Sequence, residues 1–448
     1  MARLFGTDGV RGCANVDLTA DLALDLSVAA AHVLAEAEPG HRLKAIVGRD
    51  TRASGEFLEA AVVAGLASAG VDVVRVGVIP TPGLAFLVPE LSKDFGVMLS
   101  ASHNPMPDNG IKFFSGGGIK LPDQVEDLIE EELHQHWERP TGAQVGRVTD
   151  NPEYVDRYVQ HLVDSLGSDR PLTDLRIVLD PANGAASRTA VKAFMTAGAQ
   201  VTAIHNRPDG LNINDDCGST HIESLQLEVI SSGADLGIGL DGDADRCIAV
   251  DANGRVVDGD QIIAILALAM KDAGRLHQDT VVATVMSNLG FFQAMKAQGI
   301  RVDTTKVGDR YVVESMNANG FTLGGEQSGH VVMSEFATTG DGTLTGLHLA
   351  LRMAQTGETL AELAKVMKHL PQVMINVKGV DRSRTNLDQG VVRAVAAAEA
   401  ELAGAGRVVL RPSGTEPVVR VMVEADTHDR AQGVAEHLAD VVRQRLSL

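Results

Sequence analysis

The sequence predicts an α/β protein of several domains, three of them built on a strand–helix–strand repeat and the last a smaller α+β domain. The chain has 448 residues, too many for one ordinary hydrophobic core, and such a length fits roughly three or four domains. Three segments share one succession of apolar strand, polar turn, helical periodicity, glycine and second apolar strand. The tail beyond Pro371 breaks that succession.

The first repeat runs from a strand at Ala45–Val47 through the turn Gly48-Arg-Asp-Thr-Arg-Ala-Ser-Gly55 and a helical pattern to Ala69, then Gly70 and a strand at Val71–Val76. The second has a strand at Ile177–Leu179, the turn Asp180-Pro-Ala-Asn-Gly184, a helix to Ala197, Gly198 and a strand at Gln200–Ile204. The third has a strand at Val281–Val285, the turn Met286-Ser-Asn288, a helix to Gln298, Gly299 and a strand at Ile300–Thr304. Each reads as a βαβ unit whose helix ends on a glycine cap. Parallel strands joined this way imply buried sheets with helices on their faces. In the tail, strands at Val373–Val377, Val408–Leu410 and Val418–Val423 alternate with helical patterns at Leu387–Leu402 and Arg430–Arg445. Boundaries are expected near 155, 255 and 370, which gives domains 1–155, 156–255, 256–370 and 371–448.

Apolar residues make up 44% of the chain, and 59 acidic against 39 basic residues give a formal charge of −20. That balance argues against a nucleic-acid or anionic-membrane surface, so any anion site has to be assembled locally from cations and backbone N–H groups. The opening residues reach glycine and aspartate at once, with no apolar signal region. The longest apolar run, Ile262 to Met270, is about half of a membrane span. Cys13, Cys217 and Cys247 form neither a disulfide framework nor a zinc pattern, which fits a reducing cytoplasm.

Two polar islands carry most of the chemistry. Ser100-Ala-Ser-His-Asn-Pro105, closely followed by Asn109-Gly-Ile-Lys112, offers Ser102 as a nucleophile with His103 and Lys112 nearby; a serine hydroxyl needs a base, a metal or a prior modification to react. Asp241-Gly-Asp-Ala-Asp-Arg246 sets three carboxylates at spacing two, so a looped segment can turn all three to one side. Three converging carboxylates need a cation, and oxygen-only ligation favours Mg²⁺. An EF-hand is excluded, because Arg246 stands where its glycine belongs and Ala252 where its glutamate belongs. Gly237-Ile-Gly-Leu-Asp-Gly242 fits a dinucleotide fingerprint in letters only, since a strand-like segment rather than a helix follows it. No nucleophile elbow of the Gly-x-Ser-x-Gly type is present. Further polar loops are Phe5-Gly-Thr-Asp-Gly-Val-Arg11, Lys306-Val-Gly-Asp-Arg310 and Gly324-Gly-Glu-Gln-Ser-Gly-His330, the last able to present Glu326, Ser328 and His330 to sugar hydroxyls. In Arg411-Pro-Ser-Gly-Thr-Glu-Pro417, the guanidinium of Arg411, the hydroxyls of Ser413 and Thr415 and backbone N–H groups around Gly414 form an anion site with Arg420.

Together and in this order, these motifs resemble the α-D-phosphohexomutase family over essentially the whole chain. Asn214 to His221, Lys306 to Arg310 and Gln327 resemble those members that act on glucosamine phosphates. The resemblance implies three related α/β domains with mixed sheets and a smaller α+β C-terminal domain around a central cleft. They would carry in turn a phosphoserine loop, a metal loop, a sugar loop and a phosphate site. It implies Ser102 as a phosphoserine and one Mg²⁺ per subunit held by the Ser102 phosphate, Asp241, Asp243 and Asp245. The implied reaction interconverts glucosamine 6-phosphate and glucosamine 1-phosphate through a 1,6-bisphosphate, with glucosamine or glucose 1,6-bisphosphate as activator, and feeds UDP-N-acetylglucosamine and cell-wall precursors. Phosphoglucomutase/phosphomannomutase activity is the alternative. Arg11, Lys112 and Arg246 would neutralise the moving group beside His103, with Lys112, then His330, as the base. Lys306, Glu326 and Ser328 would hold substrate with Arg411, Ser413, Gly414, Thr415 and Arg420, the C-terminal domain swinging as a lid. A cytoplasmic homodimer binding a small phosphosugar, with no nucleic-acid or membrane partner, completes the expectation.

Overall fold

The computed structural model describes the whole chain except residues 1–2, 7, 38–39, 134, 137 and 413–417. Its first three sheets are variations on one plan. In the first, the strand Lys44–Arg49 lies between parallel neighbours Asp72–Val78 and Phe95–Leu99, and Asp108–Ser115 returns antiparallel to the latter. In the second, Arg176–Asp180 lies between parallel neighbours Gln200–Ala203 and Leu236–Leu240, and Cys247–Asp251 returns antiparallel. In the third, Thr280–Thr284 lies between parallel Arg301–Thr305 and Leu323–Gly325, and Val331–Met333 returns antiparallel. The sheets are therefore mixed, as expected.

The three βαβ repeats follow their sequence pattern. The repeat helices are Ser54–Ser68, Thr189–Thr196 and Leu289–Ala297. Gly70, Gly198 and Gly299 follow them at φ of +93°, +103° and +64°, where a Cβ would be strained. Phe95–Leu99, Leu236–Leu240 and Thr280–Thr284 are buried at every position, which is why they read as continuous apolar runs rather than alternating ones. The run Ile262–Met270 lies in a helix, Gly259–Asp272, whose first turn is capped by Asp258 accepting the Gln261 N–H at 3.1 Å. Among the described residues no helix is long and apolar enough to cross a membrane.

Packing divides the chain into two compact units, residues 1–285 with 301–365, and residues 286–300 with 366–448. The second unit contains a three-stranded antiparallel sheet with Val418–Glu424 between Gln372–Lys378 and Arg407–Pro412. Helices Gln389–Leu402 and His428–Leu446 complete it. The first of these begins at Gln389 because the Asp388 carboxylate accepts the N–H groups of Gly390 and Val391. The helix Leu289–Ala297, read from sequence as part of the third repeat, packs in this unit. Glu424 accepts the Leu289 N–H at 2.8 Å, the Asn288 side chain exchanges two hydrogen bonds with the Leu370 backbone, and the Arg407 guanidinium lies 5.3 Å from the Phe292 ring centroid. Periodicity identifies a helix's apolar face but not the partner that receives it.

Candidate active site

In each of the three mixed sheets, the connection from a parallel strand to its antiparallel return carries one of the polar islands. Ser100–Asn104 follow Phe95–Leu99, Asp241–Arg246 follow Leu236–Leu240, and Glu326–His330 follow Leu323–Gly325. All three thus emerge at the carboxyl ends of parallel strands, where open α/β sheets place their ligands.

The first two loops meet. Ser102 is buried, and its Oγ donates to Asp241 Oδ2 at 2.5 Å and lies 3.2 Å from His103 Nδ1. Gly242 permits the approach, since a Cβ there would come within 2.5 Å of the Ser102 carbonyl oxygen. Asp241, Asp243 and Asp245 are all buried and can bring one oxygen each within 4.8 Å of the others. Asp243 Oδ2 accepts from Thr81 Oγ1 at 2.6 Å and from Lys112 Nζ at 2.8 Å. Oδ1 of Asp243 and Oδ1 of Asp245 are buried without a hydrogen-bond donor.

The electrostatics describe a cluster short of positive charge. Burial, then Asp245 and Asp243, push the Asp241 carboxyl well above the usual carboxylate range; burial and Asp243 raise Asp245. Burial also acts upward on Asp243, but Lys112 outweighs it and holds this carboxyl down. Donorless buried carboxylate oxygens facing one another suit a hard divalent cation with oxygen ligands. The residues present fit Mg²⁺.

Cations surround the cluster. Lys112 is buried and bridges Asp243 Oδ2 and Asp8 Oδ2, each at 2.8 Å. Burial lowers its pKa, but Asp243 and Asp8 more than offset that and the balance is upward. Expected from sequence as the base, Lys112 is in this arrangement an ammonium with no lone pair to accept a proton. Arg11 pairs with Asp8, and Asp8 in turn pairs with Lys120, which reaches Asp309. Arg246 donates its backbone N–H to Asp241 Oδ1 at 3.2 Å, with its guanidinium Nε 3.9 Å from Asp245. Burial, then Arg246 and Arg11, depress His103 to about 4, so its imidazole is neutral near pH 7.

The third loop adjoins the second through a bridge between Arg246 and His330. His330 is buried, and its Nε2 accepts the Gly340 N–H at 3.2 Å. Glu326 accepts the Gly308 N–H at 3.0 Å, tying the loop to the Lys306–Arg310 motif. Ser328 and Lys306 are exposed, with the Lys306 ammonium 5.9 Å from the Tyr311 ring centroid. Arg411 and Arg420 belong to the second unit and sit directly opposite each other on adjacent antiparallel strands. Ser413, Gly414 and Thr415, expected in the same anion site, lie outside the described residues.

Sequence reasoning passed over Asp8, Asp50, Arg52, Thr81, Lys120, Asn214 and Asp309 as functional groups. Asp8 and Asp309 stood inside quoted motifs, and Asp50 and Arg52 inside a turn dense in charge after an apolar strand, which was signal enough to mark them. Thr81 carried no such signal.

Four descriptions of one family match successive parts of the chain. They are phosphoglucomutase/phosphomannomutase alpha/beta/alpha domain I over residues 2–139, domain II over 152–254, domain III over 258–370, and the C-terminal domain over 353–441. A phosphoglucosamine mutase of Cutibacterium acnes is 67% identical over 450 residues, covering 100% of both chains. The crystal structure of a phosphoglucomutase/phosphomannomutase family protein from Burkholderia thailandensis matches in fold with a TM-score of 0.82 at 24% identity, covering 100% of this chain and 99% of that one. The Aspergillus fumigatus N-acetylphosphoglucosamine mutase, solved in complex with GlcNAc-6P and magnesium, matches in fold with a TM-score of 0.65 at 18% identity, covering 99% and 96%.

Proposed function

The chain belongs to the phosphoglucomutase/phosphomannomutase family, and from that premise we infer that it is an isomerase with phosphoglucosamine mutase activity, interconverting glucosamine 6-phosphate and glucosamine 1-phosphate. The observation that carries the mechanism is the buried Ser102 hydroxyl, 2.5 Å from Asp241 in a carboxylate cluster with donorless oxygens.

Ser102 is the phosphoryl carrier in this reading. A sugar phosphate enters with its C1 hydroxyl toward phospho-Ser102; the bond from phosphorus to Ser102 Oγ breaks as the bond to O1 forms, and the hydroxyl proton passes to a base. The resulting 1,6-bisphosphate reverses in the site. Ser102 Oγ then attacks the phosphorus at position 6, the bond from phosphorus to O6 breaks, the proton held by the base passes to O6, and glucosamine 1-phosphate leaves. A hexose 1,6-bisphosphate can load Ser102 at the start by the same exchange. Phosphoryl transfer asks chiefly for alignment and neutralisation of charge on the transferring oxygens. Lys112, Arg11 and Arg246 supply cationic side chains for that role, and Asp241 holds the serine proton when Ser102 is unmodified. Asp241, Asp243, Asp245 and a Ser102 oxygen would hold Mg²⁺, whose chemistry when bound is to neutralise phosphoryl oxygens as a Lewis acid. Neutral His103, at 3.2 Å from Oγ, orients the serine. Glu326 and Ser328 receive the sugar hydroxyls, Lys306 is a further substrate contact, and Arg411 and Arg420 are the cations offered to the phosphate that is not reacting.

Paired assays test this reading. With Mg²⁺ and a trace of glucose 1,6-bisphosphate, glucosamine 6-phosphate should be the much better substrate than glucose 1-phosphate, and Ser102→Ala should abolish turnover of both. Equal or better use of glucose 1-phosphate would move the assignment to a general hexose phosphate mutase. Turnover surviving in Ser102→Ala would remove Ser102 from the reaction.

A further inference from the structure

Ser102 sits at φ = +52°, a left-handed conformation that costs a residue with a Cβ on the order of 1–2 kcal/mol and persists only where the surroundings fix it. The groups that fix it form one buried unit. Arg52 and Asp50, both fully buried, are joined by Arg52 Nε donating to Asp50 Oδ2 at 2.9 Å and the Arg52 backbone N–H donating to Oδ1 at 2.9 Å. The rest of the guanidinium faces the serine loop. It donates to the carbonyl oxygens of Ser102 at 3.0 Å, Asn104 at 2.8 Å and Pro105 at 2.6 Å. From the other side, Asp50 Oδ2 accepts the Ser100 hydroxyl at 2.7 Å, and Ser100 Oγ accepts the Ser102 N–H at 3.0 Å. Both the amide and the carbonyl of Ser102 thus end on the same ion pair. Asn214, from the second sheet's domain, donates to two of the same carbonyls, Ser102 at 2.9 Å and Asn104 at 3.1 Å.

A buried arginine–aspartate pair is weak evidence for stability, because its desolvation offsets much of its attraction. This one spends three guanidinium contacts on loop carbonyls, a layout that fixes geometry. Beyond the pair itself, its side-chain hydrogen bonds go to the loop backbone or to Ser100; none touches Ser102 Oγ. The hold is therefore the same whether that oxygen bears a proton or a phosphoryl group, which a residue cycling between the two forms requires.

We propose that Arg52, anchored by Asp50 and extended through Ser100, is a positioning residue that keeps the Ser102 backbone in its left-handed conformation through both halves of the phosphoryl cycle. The proposal rests on Ser102 being the phosphoryl carrier. Lysine at position 52 keeps the charge but cannot fork to three carbonyls.

The test uses Arg52→Lys and Ser100→Ala in the full chain. Folding is followed by circular dichroism and thermal unfolding, Ser102 phosphorylation by intact mass after adding glucose 1,6-bisphosphate, and turnover with glucosamine 6-phosphate. In folded Arg52→Lys we expect kcat to fall on the order of 10²-fold, as for a displaced catalytic group, with KM within about threefold and phosphorylation of Ser102 slowed in step. Ser100→Ala, which removes one hydrogen bond to the Ser102 amide, should slow both roughly tenfold. Parental kcat in both variants, or losses that follow the folded fraction alone, would overturn the proposal. If Arg52→Lys does not fold, Ser100→Ala decides: slowed phosphorylation at unchanged KM supports the role, and parental phosphorylation refutes it. Ser102→Ala separates the two readings, because turnover surviving there removes the carrier itself, whereas an inert Ser102→Ala beside a fully active Arg52→Lys sinks only the positioning role.

Discussion

Replacing Lys112 by methionine keeps the length and apolar stem of the side chain and removes its charge. Each of its two contacts spans 2.8 Å, and at an effective dielectric near 20 each is worth about 6 kcal/mol before desolvation. Burying the ammonium and its partners costs several kcal/mol per ion, so the net loss on removing one partner should be about 3–5 kcal/mol. It falls mainly on Asp243, which keeps only the Thr81 hydroxyl at 2.6 Å, whereas Asp8 retains Arg11 and Lys120. The assay is urea unfolding near neutral pH without divalent cations, run on the parent, Lys112→Met, Asp243→Asn and the double variant. Adding Asp243→Asn to Lys112→Met removes the stranded charge and should restore about 1–3 kcal/mol. All three variants should lose turnover. A single-variant loss under about 1 kcal/mol would mean that the pair behaves as a solvated surface contact. A double variant less stable by the sum of the singles would show that Lys112 and Asp243 do not act on each other.

Ala244 occupies φ = +57° inside the carboxylate loop, so Ala244→Gly should raise the stability by about 0.5–1 kcal/mol, measured as a shift in the unfolding midpoint. Burial pushes the Asp341 carboxyl up to about 6, against the hydrogen bonds it accepts from the Leu344 N–H and the Tyr158 hydroxyl. Its folded pKa lies above the unfolded value of about 4, so the stability it contributes is full below pH ~4 and is lost as pH rises through 6. Asparagine there keeps the helix cap without the charge. The stability gained by Asp341→Asn should accordingly grow from near zero at pH ~4 to a positive value above pH 6, and a gain that does not change with pH would contradict the shift. Arg420 faces Arg411 across the strand pair, and two like charges so placed repel. Arg420→Ala should leave folding intact or improve it, while raising KM for glucosamine 6-phosphate at least about tenfold through loss of a charge-assisted phosphate contact.

Chemistry written within a few consecutive residues was legible in the sequence. The three carboxylates of Asp241–Asp245 and the Ser102 loop lie in contiguous motifs, and chain order alone puts the carboxylates together. The βαβ repeats were legible because an apolar run, a helical period and a glycine recur at fixed intervals. The long-range contacts that individual side chains make were not. Arg52 reaches the Ser102 carbonyl across 50 residues, Asn214 across 112, and Thr81 reaches Asp243 across 162. No local spacing records such contacts, and a carbonyl acceptor leaves no side-chain signature. Lys112 shows a second limit: its place near the serine was readable, whereas its charge state depends on Asp8 and Asp243, which only the fold brings to it.

The helix Leu289–Ala297 also bears on how the protein is made. Leaving the ribosome, this segment precedes its partner Leu370 by 82 residues counted from Asn288, and Glu424 by 135 counted from Leu289. At about 5–20 residues per second, Leu289, Phe291 and Phe292 wait roughly 4 to 27 s for the surface that covers them. During that interval the sheets of the first unit can already close, leaving an apolar helix unpaired. A nascent chain halted anywhere before Glu424 would keep that helix without its last anchor, so the helix is secured only in the final stretch of translation.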